Sequence, residues 1–142
     1  MLVRCLYASR PTKALISTSF DDILTKSRKN NPNLGITGLL CVSDDLFIQV
    51  LEGGRDEVNE LYNTIVRDER HQRVRLLAYD EIRERRFGNW TMGQVNIAKI
   101  NPSLLLKYFR RVELDPFDCS GQSTLALLAE LVDTASILSR SE

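Results

Sequence analysis

The sequence predicts an α+β fold: a five-stranded mixed sheet with two helices on one face and further helices over the other. Three observations carry this. Patterns of period two and of helical period alternate in the order βαββαββ over residues 1–100. Two apolar runs, Gly35 to Val42 and Leu46 to Glu52, are joined by the turn residues Ser43-Asp44-Asp45 and read as a hairpin. Beyond residue 100 the pattern is helical only. The order β-α-β-β-α-β with an added strand is the ferredoxin-like arrangement.

Leu2 to Ser9 is the first strand. Leu2, Leu6 and Ala8 share a side with Arg4, while Val3, Cys5, Tyr7 and Ser9 face the other way. Arg10-Pro11-Thr12 is expected to break it. Ser19 is a good N-cap for a helix with Asp21 and Asp22 in its first turn. Phe20, Ile23, Leu24 and Ser27 fall on one helical face, which Asn30 and Asn31 extend, so the face begins apolar and turns polar. Pro32 disfavours the α region at Asn31, so the helix is expected to end there.

On the Leu46 to Glu52 strand, Phe47, Gln49 and Leu51 share a face, which sets an amide in an apolar row. A buried amide without partners costs about 1–3 kcal/mol, so something must meet Gln49. Asp56 to Arg67 forms a second helix whose stripe Val58, Leu61, Tyr62, Ile65 and Val66 docks on the sheet. Val74 to Ile82 is the fourth strand. Arg83-Glu84-Arg85-Arg86 reads as a solvated loop or strand end. Trp90 to Ala98 is the fifth strand, with Trp90, Met92 and Gln94 on one side.

Asn101-Pro102 starts a short helix as N-cap and N1. Leu114 to Gly121 is a linker, and Gln122 to Leu138 a longer helix. These helices suit either the open sheet face or a self-association surface. The expected division is 1–100 for the sheet unit and 101–142 for a helical extension.

Composition narrows the function. Of 142 residues, 43% are hydrophobic and 27% charged, an ordinary globular mix for one domain. Nineteen basic residues balance nineteen acidic ones, so a basic footprint for nucleic acid is missing. Cys5, Cys41 and Cys119 have no metal-ligand spacing and suit free thiols in a reducing cytoplasm. No run of apolar residues has the length of a membrane span, and Arg4 interrupts any leader-like core.

No catalytic set stands out. His71, the sole histidine, sits beside Arg70 at a helix exit and reads as a surface residue. Neither a Gly-rich phosphate loop nor a metal cluster is evident. What remains is Tyr7, Ser27, Asn30, Asn31, Gln49, Trp90 and Met92, neutral hydrogen-bonding and aromatic groups. They suit a planar, polar-edged ligand in a mostly apolar slot. Each also has a plainer reading: Tyr7 as a core tyrosine, Gln49 as a structural amide, Trp90 and Met92 as core filler.

In five blocks the chain resembles the BLUF family, flavin-based blue-light sensors. The blocks are Leu6-Tyr7-Ala8-Ser9, Asn30-Asn31 followed by Gly35-Ile36-Thr37-Gly38, Phe47 to Gly53, Asp68-Glu69-Arg70-His71, and Phe87-Gly88-Asn89-Trp90-Thr91-Met92. The similarity covers residues 1–100, and the C-terminal helices resemble those of short, stand-alone members without a fused enzyme.

The resemblance implies a non-covalent flavin, FAD with FMN as the variant, between the two helices of the ferredoxin-like layer. It makes Tyr7 the redox-active phenol and places Gln49 between that phenol and the flavin. It places Asn31, Asn30, Ile23 and Ser27 around the ring, with Asp68, Arg70 and His71 near the ring or its chain. Trp90 and Met92 belong to a strand that exchanges positions in the family. The implied chemistry is light-driven electron and proton transfer from Tyr7 through Gln49, and its return with Gln49 rearranged and the absorption shifted to the red.

The implied output is non-enzymatic: a cytoplasmic photoreceptor, expected as a homo-oligomer, signalling to a separate response-regulator-like protein or cyclic-dinucleotide enzyme. The competing readings are a ferredoxin-like ligand-binding or protein-interaction module without photochemistry, and an acylphosphatase-like hydrolase, whose anion loop is not visible here.

Overall fold

The computed structural model describes residues 1–12 and 20–133, with the backbone alone described over 20–25. The expected Ser19 cap, the apolar side chains of Phe20, Ile23 and Leu24, and the last turn toward Leu138 lie outside the described residues.

The strands are β1 (Leu2–Pro11), β2 (Thr37–Val42), β3 (Phe47–Gly54), β4 (His71–Ile82) and β5 (Gly93–Asn96). The helices are α1 (Phe20–Leu34), α2 (Arg55–Arg67), α3 (Pro102–Tyr108) and α4 (Gly121–Asp133). The sheet order is β4-β1-β3-β2-β5. All neighbours are antiparallel except β2 and β5, so the sheet is mixed, as expected.

Strand parity divides the core in two. Val3, Cys5, Tyr7, Leu40, Phe47, Leu51 and Met92 pack with Val58, Leu61, Tyr62 and Ile65 of α2 on one face. Leu6, Ala8, Leu39, Cys41, Ile48, Val50 and Trp90 pack with Leu105, Leu127, Leu128 and Leu131 of α3 and α4 on the other. The C-terminal helices therefore cover the second sheet face.

Several local expectations are corrected. β1 does not stop at Ser9. Its pairing to β3 ends at Ser9↔Phe47, but pairing to β4 continues to Pro11↔His71. Pro11 thus lies where only one side of the strand is paired, and its missing N–H disturbs no ladder on the other side. β4 starts earlier than Val74 because it follows β1 this far. It carries an irregularity where Arg73 adopts φ 53°.

α1 runs past Pro32 to Leu34. Its end is set by Gly35, which takes φ 69°. The Gly35 amide donates to the Pro32 carbonyl at 3.2 Å and the Ile36 amide to the Asn31 carbonyl at 2.9 Å. This is a Schellman ending, for which glycine is the favoured residue.

β5 begins only at Gly93, so Trp90 and Met92 precede the strand. In this irregular segment they occupy opposite sheet faces rather than one. In α2, Val66 falls outside the stripe and is exposed.

The charged run 83–86 is not simply solvated. Glu52 is fully buried on β3. Its carboxylate accepts from Arg4 Nε at 2.7 Å, the Arg86 amide at 3.1 Å and the Phe87 amide at 2.6 Å. Arg85 Nη2 donates to the Gly35 carbonyl at 2.7 Å, and its Nη1 to Thr37 Oγ1 at 2.9 Å. The segment leading to Phe87 is thereby pinned to the sheet. Glu52→Leu removes the acceptor for three donors, one of them charged. It is expected to cost about 3 kcal/mol, read as a lowered urea midpoint with unchanged m-value.

Candidate functional site

A cleft of about 210 Å³ opens between α1 and α2 over the sheet. Tyr7, Phe47 and Gln49 form its floor. Ser27, Asn30, Asn31 and Leu34 come from α1, Leu61, Thr64 and Ile65 from α2, and Asp68, Arg70 and His71 from the turn that follows.

The floor follows from register. Tyr7 on β1 is the direct cross-strand partner of Gln49 on β3. Their side chains point to the same face, and the Tyr7 hydroxyl donates to Gln49 Oε1 at 2.5 Å. The Gln49 Nε2 amino group meets the Met92 sulfur at 3.3 Å. Gln49 therefore finds a partner at each end, as its apolar surroundings require. Tyr7 has no exposed surface. Burial, reinforced by Cys5, Tyr62 and Asp68, pushes its phenol well above the ordinary value of 10 and holds it protonated.

Asn31 carries the clearest group in the cleft for a ligand to meet. Its side chain is 3% exposed, and its Nδ2 donor has no hydrogen-bond partner among the described residues. A buried donor facing a cleft calls for an acceptor on whatever fills it. Asn30, on the same helix, is exposed at the rim, and Ser27 is half-buried. The apolar walls from Leu61 and Ile65 and the Phe47 ring in the floor, with this amide donor, fit the ring of a flavin and its carbonyl edge.

The far end is polar. Arg70 forks onto Asp68, with Nη2 2.6 Å from Oδ2, and holds the Asp68 carboxyl below its ordinary range. His71 is half-buried rather than free on the surface. Its Nδ1 lies 2.8 Å from Ser9 Oγ and its ring packs edge-on against Phe47 at 4.6 Å. Burial, opposed by Asp68 and assisted by Arg70, lowers its pKa below 6.5.

Of the residues expected to form the site, the structure brings together Tyr7, Gln49, Met92, Ser27, Asn30, Asn31, Asp68, Arg70 and His71. It places Trp90 on the opposite face, against the C-terminal helices, and the Ile23 side chain lies outside the description. Leu61 and Ile65 are cleft walls that were not expected from the sequence. Their helical stripe reads as sheet docking, and only the gap between α1 and α2 shows that it serves both. No helix among the described residues is long and apolar enough to cross a membrane.

Comparison with known proteins points to one family. The profile of the BLUF family, described as sensors of blue-light using FAD, matches residues 2–93. The photoactivated adenylate cyclase subunit beta of Euglena longa is 33% identical over 92 residues. That match takes in 64% of this chain but only 11% of the relative's length. Among solved structures, BlsA in its photo-activated state superposes with a TM-score of 0.81 at 28% identity, over 100% of this chain and 99% of that one. BlrB, a BLUF protein in its dark state, gives 0.77 at 31% identity, over 94% and 96%.

The lowered pKa of His71 has a consequence for stability. The folded state binds its proton less readily than the unfolded chain, so the contribution is complete above about pH 6.5 and is lost as the pH falls toward the folded pKa. Urea midpoints of the wild type should therefore drop between pH 7.5 and pH 5.5. His71→Gln should flatten that drop; an unchanged slope would assign it to other groups.

Proposed function

The chain belongs to the BLUF family, sensors of blue light that use FAD, and from that premise we propose how its own residues hold the chromophore and register its excitation. Its function is blue-light sensing through a bound flavin, and these 142 residues are a photosensor rather than an enzyme. The flavin-binding unit is taken as residues 1–100 and the helical extension as 101–142.

The cleft between α1 and α2 is the flavin site, and FAD rather than FMN is the proposed occupant. Asn31 would donate its unpartnered Nδ2 to the carbonyl edge. Asn30 would stand at the rim, with Ile23 and Ser27 along α1 and Asp68, Arg70 and His71 closing the end. The single observation that supports this reading is at the floor of the cleft: Tyr7 is bonded to Gln49, Gln49 in turn to the Met92 sulfur, and the buried Asn31 donor lines the same cleft.

When bound, the flavin supplies absorption of blue light and an excited state that attracts an electron. Tyr7 is the donor among these residues. Its phenol is neutral and fully buried, so loss of an electron would make its proton strongly acidic. Gln49 Oε1 stands 2.5 Å away to receive that proton.

Gln49 is the element with two settings, since a carboxamide offers an acceptor at one end and donors at the other. In the observed setting the oxygen faces the phenol and the amino group faces sulfur. A thioether has no hydrogen to give. Turning the carboxamide over places its oxygen against that sulfur, which is unfavourable unless Met92 moves. Rearrangement of Gln49 is thereby coupled to the segment 90–92, whose other side chain, Trp90, packs under α3 and α4.

The signal passes from there to a separate protein, proposed as a response-regulator-like protein or a cyclic-dinucleotide enzyme, with the photoreceptor acting as a homo-oligomer in the cytoplasm.

Purified protein should be yellow, release FAD on denaturation, and shift its absorption reversibly to the red under blue light. Tyr7→Phe and Gln49→Leu should each keep the flavin and lose the shift. A Gln49→Leu protein that still shifts would remove Gln49 from the switching role. A colourless protein that takes up no flavin would overturn the site.

A further inference from the structure

Met92 is held at its backbone as well as at its sulfur. Arg28, on α1 one position beyond Ser27, donates to the Met92 carbonyl from Nε at 3.2 Å and from Nη2 at 3.1 Å. Among the described residues no carboxylate pairs with Arg28, so this carbonyl is what its guanidinium engages. The carbonyl has no ladder partner of its own, because pairing of β5 with β2 starts only at Leu39↔Gly93. The neighbouring Trp90 carbonyl is taken by the Gly38 amide of β2 at 3.0 Å. Two carbonyls thus fix the irregular stretch before β5, one tied to the sheet and the other to the wall of the cleft.

We propose that Arg28 is a positioning residue of the photocycle: its clasp on the Met92 carbonyl keeps the Met92 sulfur against the Gln49 carboxamide and so sets how easily Gln49 can turn. The bond is charge-assisted and two-pronged, which makes it the strongest contact holding the sulfur in place. It also couples α1, which carries Ser27, Asn30 and Asn31, to the stretch that joins the cleft floor to the far face. The link to the light reaction rests on the role given above to Gln49; the positioning of Met92 does not.

The chain carries its own control for the test. It has two methionines, of which Met1 is 75% exposed and Met92 fully buried. Flavin-loaded protein is treated with hydrogen peroxide in the dark, and sulfoxide at each methionine is followed by mass spectrometry. Labelling of the buried thiols Cys5 and Cys41 reports general loosening.

Arg28→Ala should raise Met92 oxidation about tenfold relative to Met1, the change expected for loss of about 1.4 kcal/mol of hold, with the two thiols still protected. The dark recovery rate after a blue flash should change severalfold in the same protein. Arg28→Lys, which restores one charged donor, should return both readings partway. Should alanine loosen the whole core, so that the thiols label as well, Arg28→Lys and Arg28→Gln decide by the same two readings. Unchanged Met92 protection in a folded variant overturns the proposal, as does altered protection with unchanged recovery. If the wild type shows no light-induced shift, the flavin-switch reading fails, and the oxidation result still tells whether Arg28 positions Met92.

Discussion

A phenol and a carboxamide, set opposite each other on neighbouring strands, hydrogen-bond to each other inside the sheet, and the rest of the site is arranged around that contact. It exists because β1 and β3 pair in one register, Tyr7↔Gln49. A slip of one residue would send Gln49 to the other face and Val50 into the cleft. The register is enforced by the apolar residues on both faces of these strands, since a slip would also exchange the two cores. The Arg4–Glu52 pair, cross-strand partners in the same register, adds one polar contact to this apolar packing.

The sheet works as a partition. One face carries the cleft and the other carries the C-terminal helices, and few groups communicate between them. The stretch from Arg85 to Met92 is the principal one. Glu52 anchors its start, Arg28 its end, and Arg86 Nη2 reaches α4 at the Ala129 carbonyl and Asp133 Oδ1. Because β5 is short and begins after this stretch, Met92 and Trp90 are free of strand geometry and divide between the two faces. Under the switching proposed for Gln49, a change there would reach the far side through them.

Much of this was legible in the residues. Period two groups Tyr7 with Val3, Cys5 and Ser9, and Gln49 with Phe47 and Leu51; that the two rows belong to one site, with Asn31 and His71, was implied by the family resemblance, and the β1–β3 register puts the two rows on one face. What was not legible has physical reasons. Treating Trp90 to Ala98 as a regular strand put Trp90 and Met92 on one side; a local departure from strand geometry, which no periodicity records, put them on two. The run 83–86 reads as solvated because charge usually means solvent, and only the buried Glu52 carboxylate, distant in sequence, shows otherwise. Pro32 suggested an early helix end, whereas Gly35 was the residue that set it. The clasp of Arg28 on a backbone carbonyl leaves no trace in residue type at all.

The decisive step is the exchange of hydrogen-bond partners proposed for the Gln49 carboxamide when light is absorbed. The most direct measurement is the light-minus-dark infrared spectrum of the flavin-loaded protein with side-chain-labelled glutamine, compared with the unlabelled protein. A pair of isotope-sensitive carboxamide bands of opposite sign, reverting with the absorption shift, is expected. A protein that shifts to the red with no label-sensitive glutamine band would contradict it.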